Sequence, residues 1–454
     1  DPLFGKIQKR YLEKQTKLYG TDHIYGIDPF NEVDSPNWDE DFLRTVSDKI
    51  FHSIEQVDSL AHWIQMTWMF YHSKDKWSQP RIKAFLNSVP DDKLILLDYY
   101  CDSVEIWRET QQYYGKPYIW CYLGNFGGNS MLAGHVDDVS AKLNRLFVEG
   151  GKNISGVGAT LEGLDVNPFM YEFVLEKAWS HTITNADWMK NWALCRGGSK
   201  SSHIDAWQQL YKKIYIHHAT AGQAVLMNAR PMLEGTDSWN THPDIYYDNK
   251  ELWHIWGKFL EAKNVDSSGY KFDVINIGRQ VLGNLFSDFR DSFTACYRQK
   301  NIEGMKEWAE KMNTLFTDVD RLLSCESSFS IGKWIKDARD WGKNLKEKEY
   351  YEQNARCILT TWGQKATQLN DYANRGWGGL TDSYYRKRWE LFTQYAIDEM
   401  SHGKEIDEKS FYNLITEFEY QWTLQTNVYS ESSGEDPIRI ANLLYIKYNP
   451  YFDK

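Results

Sequence analysis

Near residue 180 the hydrophobic period of this chain changes, and that change limits the fold more than any other feature of the sequence. Before it, short continuous apolar runs occur at His23 to Ile27, Trp63 to Phe70, Leu94 to Leu97, Tyr118 to Leu123 and Ile154 to Leu161. Amphipathic stretches lie between them. Phe42, Val46, Ile50 and Ile54 recur at the spacing of one helix face, Pro80 opens a helix with Ile82, Phe85 and Leu86, and Pro168 opens one with Tyr171, Val174 and Leu175. Uninterrupted apolar strands joined by helices predict a parallel sheet whose outside is covered. The first twenty residues read as a helix with Leu3, Phe4, Ile7, Tyr11 and Leu18 near one face and Gly20 as its stop, the kind of crossover that follows a strand. Five strands fall short of the eight that close a (β/α)8 barrel. Residues 1–180 are therefore expected to form the C-terminal part of a (β/α)8-type barrel that lacks its first strands in this chain, with an open five-stranded sheet as the alternative.

From residue 181 onward helical stripes take over: Ile204, Trp207, Tyr211 and Ile214, then Leu282, Phe286, Phe289 and Phe293, then Met305, Trp308, Met312, Leu315, Val319 and Leu322. They predict an all-α domain over 181–454. No stretch rich in Pro, Gly or Ser separates the two regions, so the helical domain is expected to pack on the barrel and contribute to its pocket.

Charge and composition narrow the function. With 63 acidic against 52 basic residues the formal charge is -11, which argues against a nucleic-acid or anionic-membrane surface. No apolar run reaches the roughly 18 residues of a transmembrane helix, and the charged opening segment does not read as a signal peptide. The six cysteines form no CxxC pair, which excludes a zinc ribbon and a thioredoxin motif. Aromatics reach 15%, and their flat rings suit either a large core or the apolar faces of sugars.

A sugar hydrolase that uses neither metal nor cofactor needs two carboxyl groups at the bond it breaks. Glu32 follows the first apolar run through Tyr25-Gly26-Ile27-Asp28-Pro29-Phe30-Asn31, and Glu162 follows the fifth through Val157-Gly158-Ala159-Thr160-Leu161. Both would sit at the carboxyl ends of strands, where barrel enzymes place their active sites, although by spacing alone each also reads as an ordinary surface carboxylate. Asn31 can donate to a sugar hydroxyl, and Gly163 leaves room for a ligand beside the backbone. The segment Trp120-Cys121-Tyr122-Leu123-Gly124-Asn125-Phe126-Gly127-Gly128-Asn129 adds aromatics, amides and a mobile glycine pair after another strand, a mixture suited to a polyol pocket.

Several of these stretches, in this order, carry a family resemblance. Tyr19-Gly20-Thr21-Asp22-His23-Ile24-Tyr25 leads to Phe30-Asn31-Glu32. Tyr118-Ile119-Trp120-Cys121, Asn125-Phe126-Gly127-Gly128-Asn129 and Glu162-Gly163 follow. In the helical region come Tyr351-Glu352-Gln353-Asn354, Thr361-Trp362-Gly363, Asp371-Tyr372-Ala373-Asn374 and Arg388-Trp389-Glu390. Over nearly its whole length the chain resembles the α-N-acetylglucosaminidases, glycoside hydrolase family 89. The resemblance implies a retaining exo-glycosidase that removes terminal α-linked N-acetylglucosamine from a glycan or glycosaminoglycan without cofactor or metal. Glu32 would be the general acid/base and Glu162 the nucleophile, with Asn31, Trp120, Cys121, Asn125, Trp362 and Tyr372 binding the sugar. It further implies an upstream segment of the same protein that completes the barrel, and an extracytoplasmic place of work, secreted, periplasmic or lysosomal.

One departure concerns Trp63-Ile64-Gln65-Met66-Thr67-Trp68, where family members carry Gln-Gly-Trp, so the glutamine is shifted by one position and would face the other side of the strand. Two rival readings stand beside the first: a non-catalytic carbohydrate-binding protein, and substrate-assisted hexosaminidase chemistry on Asp39-Glu40-Asp41. The acidic triplet reads better as the start of the helix of Phe42 and Val46, where negative charge suits the dipole. The glycines of 156–163 and 197–198 lack nucleotide-loop spacing. His135 and the His217-His218 pair, without an HExxH motif, read as solvated or hydrogen-bonded rather than metal-binding.

Overall fold

Each apolar run of the first region becomes a strand: β1 (Ile24–Gly26), β2 (His62–Met66), β3 (Leu94–Asp98), β4 (Tyr118–Tyr122) and β5 (Ile154–Ala159). The computed structural model describes residues 2–453 except Asn129, 164–166, His181, Lys263 and Gln364. The strands pair in chain order, all parallel, with Tyr25 beside Trp63, Trp63 beside Leu94, Leu96 beside Tyr118 and Trp120 beside Val157. This is the partial barrel-like sheet expected from the sequence, and β1 and β5 are its two edges. The run at Trp63 to Phe70 is strand only as far as Met66, and Trp68–His72 turns into a short helix.

Residues on the two faces of the sheet differ in burial. Trp63, Gln65, Leu94, Leu96, Tyr118 and Trp120 are fully buried, whereas Ile64, Met66, Ile95, Leu97 and Ile119 on the other face are half-buried. The buried face carries the helices: Phe85 of α3 (Gln79–Leu86) meets the Trp63 ring at 6.0 Å. Gln65 lies on that face, its Nε2 3.3 Å from Met69 Sδ, so the one-position shift does turn it toward the helices.

The helices lie where the sequence pattern places them, but several turn a different face to the core. In α1 (Pro2–Tyr19) the predicted stripe of Leu3, Phe4, Ile7, Tyr11 and Leu18 is exposed, while Leu12 is buried and Gln8 Oε1 accepts from Ser53 of α2 (Glu40–Glu55) at 2.8 Å. In α2 the buried positions are Leu43, Ser47, Ile50, Phe51, Ser53 and Ile54, so Ile50 and Ile54 of the predicted face are covered while Leu43 and Ser47 take the places of Phe42 and Val46. The Pro168 helix, Pro168–Lys177, buries Phe169, Phe173 and Val174 and exposes Leu175. A single periodic stripe fixes where a helix is, and the neighbour it meets fixes which residues are covered. Glu40 and Asp41 occupy the first turn of α2, as the helix-start reading of the acidic triplet required.

By contacts the chain forms two compact units. The first comprises Asp1–Gly124, Asp137–Leu161 and Phe169–Thr182, and the second Asn125–Val136, Glu162–Pro168 and Ile183–Lys454. The second unit is largely helical. Its centre is Ser268–Arg298, whose Leu282, Phe286, Phe289 and Phe293 are all buried, beside Ile302–Leu323, with Phe286 against Phe316 at 4.9 Å. A departure from the all-α expectation is a two-residue antiparallel pair, Gly134–His135 with Ile216–His217. No helix among the described residues is long and apolar enough to cross a membrane.

Buried carboxyls close two strand ends of the first unit. Asp98 accepts from the Trp107 N–H at 2.9 Å, and Asp102 accepts from Leu123 and Gly124 N–H groups at 2.9 and 3.2 Å. Burial pushes Asp98 up to about 7 and Asp102 up to about 6. A carboxyl raised in the fold binds its proton more tightly there than in the unfolded chain, so it favours folding at low pH. That advantage is lost as pH rises through about 7. Burial of His203 acts oppositely, lowering it to about 4 and costing stability below neutrality. The difference in thermal midpoint between the native chain and Asp98→Asn isolates the first effect. Relative to the variant, the native chain is expected to lose a few degrees between pH 5 and pH 8, read by calorimetry. A pH-independent difference would refute the assignment.

Candidate active site

Three strand ends of the first unit build the surroundings of Glu32. The loop after β1 is tied to β2 twice: the Trp63 indole donates to Ile27 O at 2.7 Å, and the Met66 N–H donates to Asp28 Oδ1 at 2.7 Å. The loop then turns sharply, with Phe30 at φ 62° and Glu32 at φ 54°, conformations that cost a non-glycine residue about 1–3 kcal/mol and persist only under strong local constraint. The turn presents Glu32 to solvent, where its Oε1 accepts from the Trp68 indole at 2.8 Å. Around Trp68 stand Tyr71, Tyr99 and Tyr100, with ring centroids 5.0, 5.7 and 6.2 Å away. All four rings are half-buried. Reading the sequence missed this aromatic rim, although each member lies within a few residues of the end of β2 or β3. Asn31 is half-buried and its side chain makes no hydrogen bond among the described residues.

Glu162 belongs to the second unit, three residues beyond the end of β5. Its carboxylate is also exposed, and its Oε2 accepts from the Gly127 N–H at 2.7 Å and the Tyr372 hydroxyl at 2.5 Å. Neither Glu32 nor Glu162 is ion-paired among the described residues; each is held by uncharged donors. The loops that meet at Glu162 pack backbone to backbone. Gly128 sits at φ 76°, and a side chain there would come within 2.7 Å of Gly163 Cα. The Arg375 guanidinium donates to Gly127 O at 2.8 Å. The space beside Gly163 is therefore taken by Gly128 and Arg375 rather than left for a ligand, and the glycine pair is pinned instead of mobile.

Trp362 and Tyr372, the two candidate sugar contacts of the helical region, have ring centroids 5.0 Å apart, and Trp239 joins them at 5.9 Å from Tyr372. Trp362 and Trp239 are each exposed over a third or more of their surface, at 38% and 52%. Beneath these rings, charged residues of the helical unit fix the loop. Arg388 donates to Asp371 at 2.7 Å and to Glu419 at 2.8 Å, Glu419 also accepts from Arg230 at 3.0 Å, and Asn228 donates to Asn374 at 2.9 Å. All these side chains are buried, so Asp371-Tyr372-Ala373-Asn374 and Arg388 form one structural network. Glu352 has a similar part, bridging Arg356 at 2.8 Å and Arg339.

Two predicted sugar contacts do not hold. Trp120 is fully buried on the helix-covered face, with its indole donating to Glu105 at 3.1 Å. Cys121 is 2% exposed, its Sγ set against Ile119 O at 3.5 Å. A side chain without surface has nothing to offer a ligand. Asn125 opens the Gly127 loop and is buried, and Asn129 lies outside the described residues. Among the described residues no three His, Cys, Asp or Glu side chains are grouped as metal ligands.

Known proteins match this architecture along the whole chain. Residues 1–181 match the alpha-N-acetylglucosaminidase (NAGLU) TIM-barrel domain and residues 188–447 the alpha-N-acetylglucosaminidase (NAGLU) C-terminal domain. The human alpha-N-acetylglucosaminidase is 29% identical over 460 residues, covering 99% of this chain. A family 89 glycoside hydrolase from Clostridium perfringens, solved in complex with PUGNAc, superposes with a TM-score of 0.87 at 26% identity over 100% of this chain. A doubly Glu-to-Gln substituted form of that enzyme, bound to its substrate GlcNAc-alpha-1,4-galactose, gives a TM-score of 0.86 at 25% identity. The chain spans 61% of the human protein and 52% of the bacterial structure. With both of its parts matched in order, the chain belongs to the alpha-N-acetylglucosaminidase family, glycoside hydrolase family 89.

Proposed function

We propose that this protein hydrolyses terminal, non-reducing α-linked N-acetylglucosamine by double displacement, with Glu162 as nucleophile and Glu32 as general acid/base. The observation that carries the reading is the pair of exposed glutamates past strand ends, each steadied by uncharged donors, in a chain whose bacterial relative has been captured with GlcNAc-alpha-1,4-galactose. Glu162 attacks the anomeric carbon while Glu32 protonates the departing oxygen. Water deprotonated by Glu32 then releases the sugar, and two inversions leave the anomeric configuration unchanged. An ion-paired carboxylate would be a poorer nucleophile, and an indole donor steadies Glu32 without adding a charge. Aromatic rings at Trp68, Trp239 and Trp362 suit the apolar faces of sugars.

The test is hydrolysis of an aryl α-N-acetylglucosaminide followed by proton NMR, using the chain alone and together with any upstream segment. The first-formed sugar is expected to be the α-anomer. A β-anomer would sink the double displacement, and binding without turnover in both forms would favour the carbohydrate-binding alternative. Trp68→Phe removes the donor to Glu32 and keeps the ring. It is expected to lower kcat/KM on a GlcNAc-α-linked disaccharide about tenfold, the worth of one hydrogen bond to a charged group, while leaving the melting temperature nearly unchanged.

A further inference from the structure

Both hydrogen bonds to Glu162 end on one oxygen. The Gly127 N–H and the Tyr372 hydroxyl donate to Oε2, and among the described residues nothing donates to Oε1. We infer that Tyr372 is a positioning residue that, with the Gly127 N–H, holds Oε2 so that Oε1 is the attacking atom, and that it speeds breakdown of the glycosyl-enzyme more than its formation. The inference rests on the reading of Glu162 as nucleophile.

Tyr372 is built for a fixed position. Its neighbour Asp371 adopts φ 62°, its N–H donates to Thr360 O at 2.6 Å, and its carboxylate is locked by Arg388. The ring is held edge-on by Trp362 and Trp239. Gly127 is equally constrained: it sits at φ 64°, and a side chain there would collide with the Tyr372 carbonyl. The two donors therefore converge on Oε2 from segments locked to each other, which leaves the second oxygen to react.

The chemistry explains why the two steps respond differently. In the first, an electron pair of Oε1 forms the bond to the anomeric carbon, the bond to the aglycone oxygen breaks, and that oxygen takes the proton of Glu32. The carboxylate becomes an ester, and Oε2 becomes its carbonyl oxygen, a weaker acceptor. In the second step a water oxygen bonds to the anomeric carbon and yields its proton to Glu32. The bond to Oε1 breaks and returns its pair to Glu162. Charge then grows on the carboxylate at the transition state, where preorganised donors already point at Oε2. In the first step the same donors stabilise the starting carboxylate as well, so their benefit there is confined to orientation.

Tyr372→Phe removes a single oxygen. On an activated aryl α-N-acetylglucosaminide it is expected to lower kcat about 100-fold, the loss typical of one such donor. KM should fall with kcat, and a pre-steady-state burst of the aryl alcohol should approach one per enzyme as the glycosyl-enzyme accumulates. In a Glu162→Ala background supplied with azide, adding Tyr372→Phe should change the rate by less than about twofold, because the group it acts through is gone. A raised KM with unchanged kcat, or an effect that persists in the azide reaction, would instead make Tyr372 a sugar contact and overturn the inference. If Glu162→Ala alone is inactive while Tyr372→Phe shows no burst, only this inference falls. Should Glu162→Ala turn over at the native rate, the nucleophile reading falls and takes the inference with it.

Discussion

Glu162→Ala is expected to lower kcat on an aryl α-N-acetylglucosaminide by about 10^5-fold, equivalent to about 7 kcal/mol of lost barrier reduction. In the proposed double displacement the change deletes the atom that would bond to the anomeric carbon, and no smaller interaction would compensate. Its structural cost is modest, because the carboxylate is exposed and its donors can turn to water. The melting temperature should stay within a few degrees of the native value. Azide, small enough to occupy the vacated space, is expected to restore turnover and to give the β-glycosyl azide. A variant that keeps even a tenth of native activity would remove Glu162 from the mechanism.

Glu32→Ala is expected to produce a loss that depends on the leaving group. With an activated aryl aglycone, whose oxygen departs without a proton, the first step should be nearly unimpaired and the second should limit turnover. With a sugar aglycone the loss should reach the upper end of the general-acid range, about 10^4-fold. Azide needs no general base, so it should rescue the aryl substrate and yield the α-glycosyl azide, the anomer opposite to that from Glu162→Ala. The two variants thus assign both roles from product stereochemistry alone. Equal losses on both substrates would mean that Glu32 does not transfer the proton. The Trp68 indole is the contact that aims this carboxyl, which is why Trp68→Phe is expected to follow the same leaving-group trend on a smaller scale.

The five strands were legible because each is a continuous apolar run, and a strand covered by helices needs that pattern whatever surrounds it. That Glu32 and Glu162 lie just past strand ends was legible by position, since each follows such a run within a few residues, but their proposed roles came from the family resemblance and not from spacing. Trp120 and Cys121 were misread for a related reason. They sit inside β4, where the alternation of faces sends Trp120 to the helices and neighbouring side chains cover Cys121 to 2% exposure, which a residue's closeness to the loop does not reveal. The exposed stripe of α1 shows the same limit for helices, because amphipathic spacing does not say whether a partner is present.

Local periodicity and composition therefore determined the elements, the change from strands to helices, and the two acidic residues at strand ends. Tertiary structure decided what surrounds each carboxylate. The Tyr372 hydroxyl reaches Glu162 across 210 residues of sequence, and Arg388 and Glu419 hold the Asp371 loop from helices farther along still. Hydrophobic periods report each segment's own need for burial. A hydrogen bond between distant loops depends on the packing of every element between them, and so has no local signature to read.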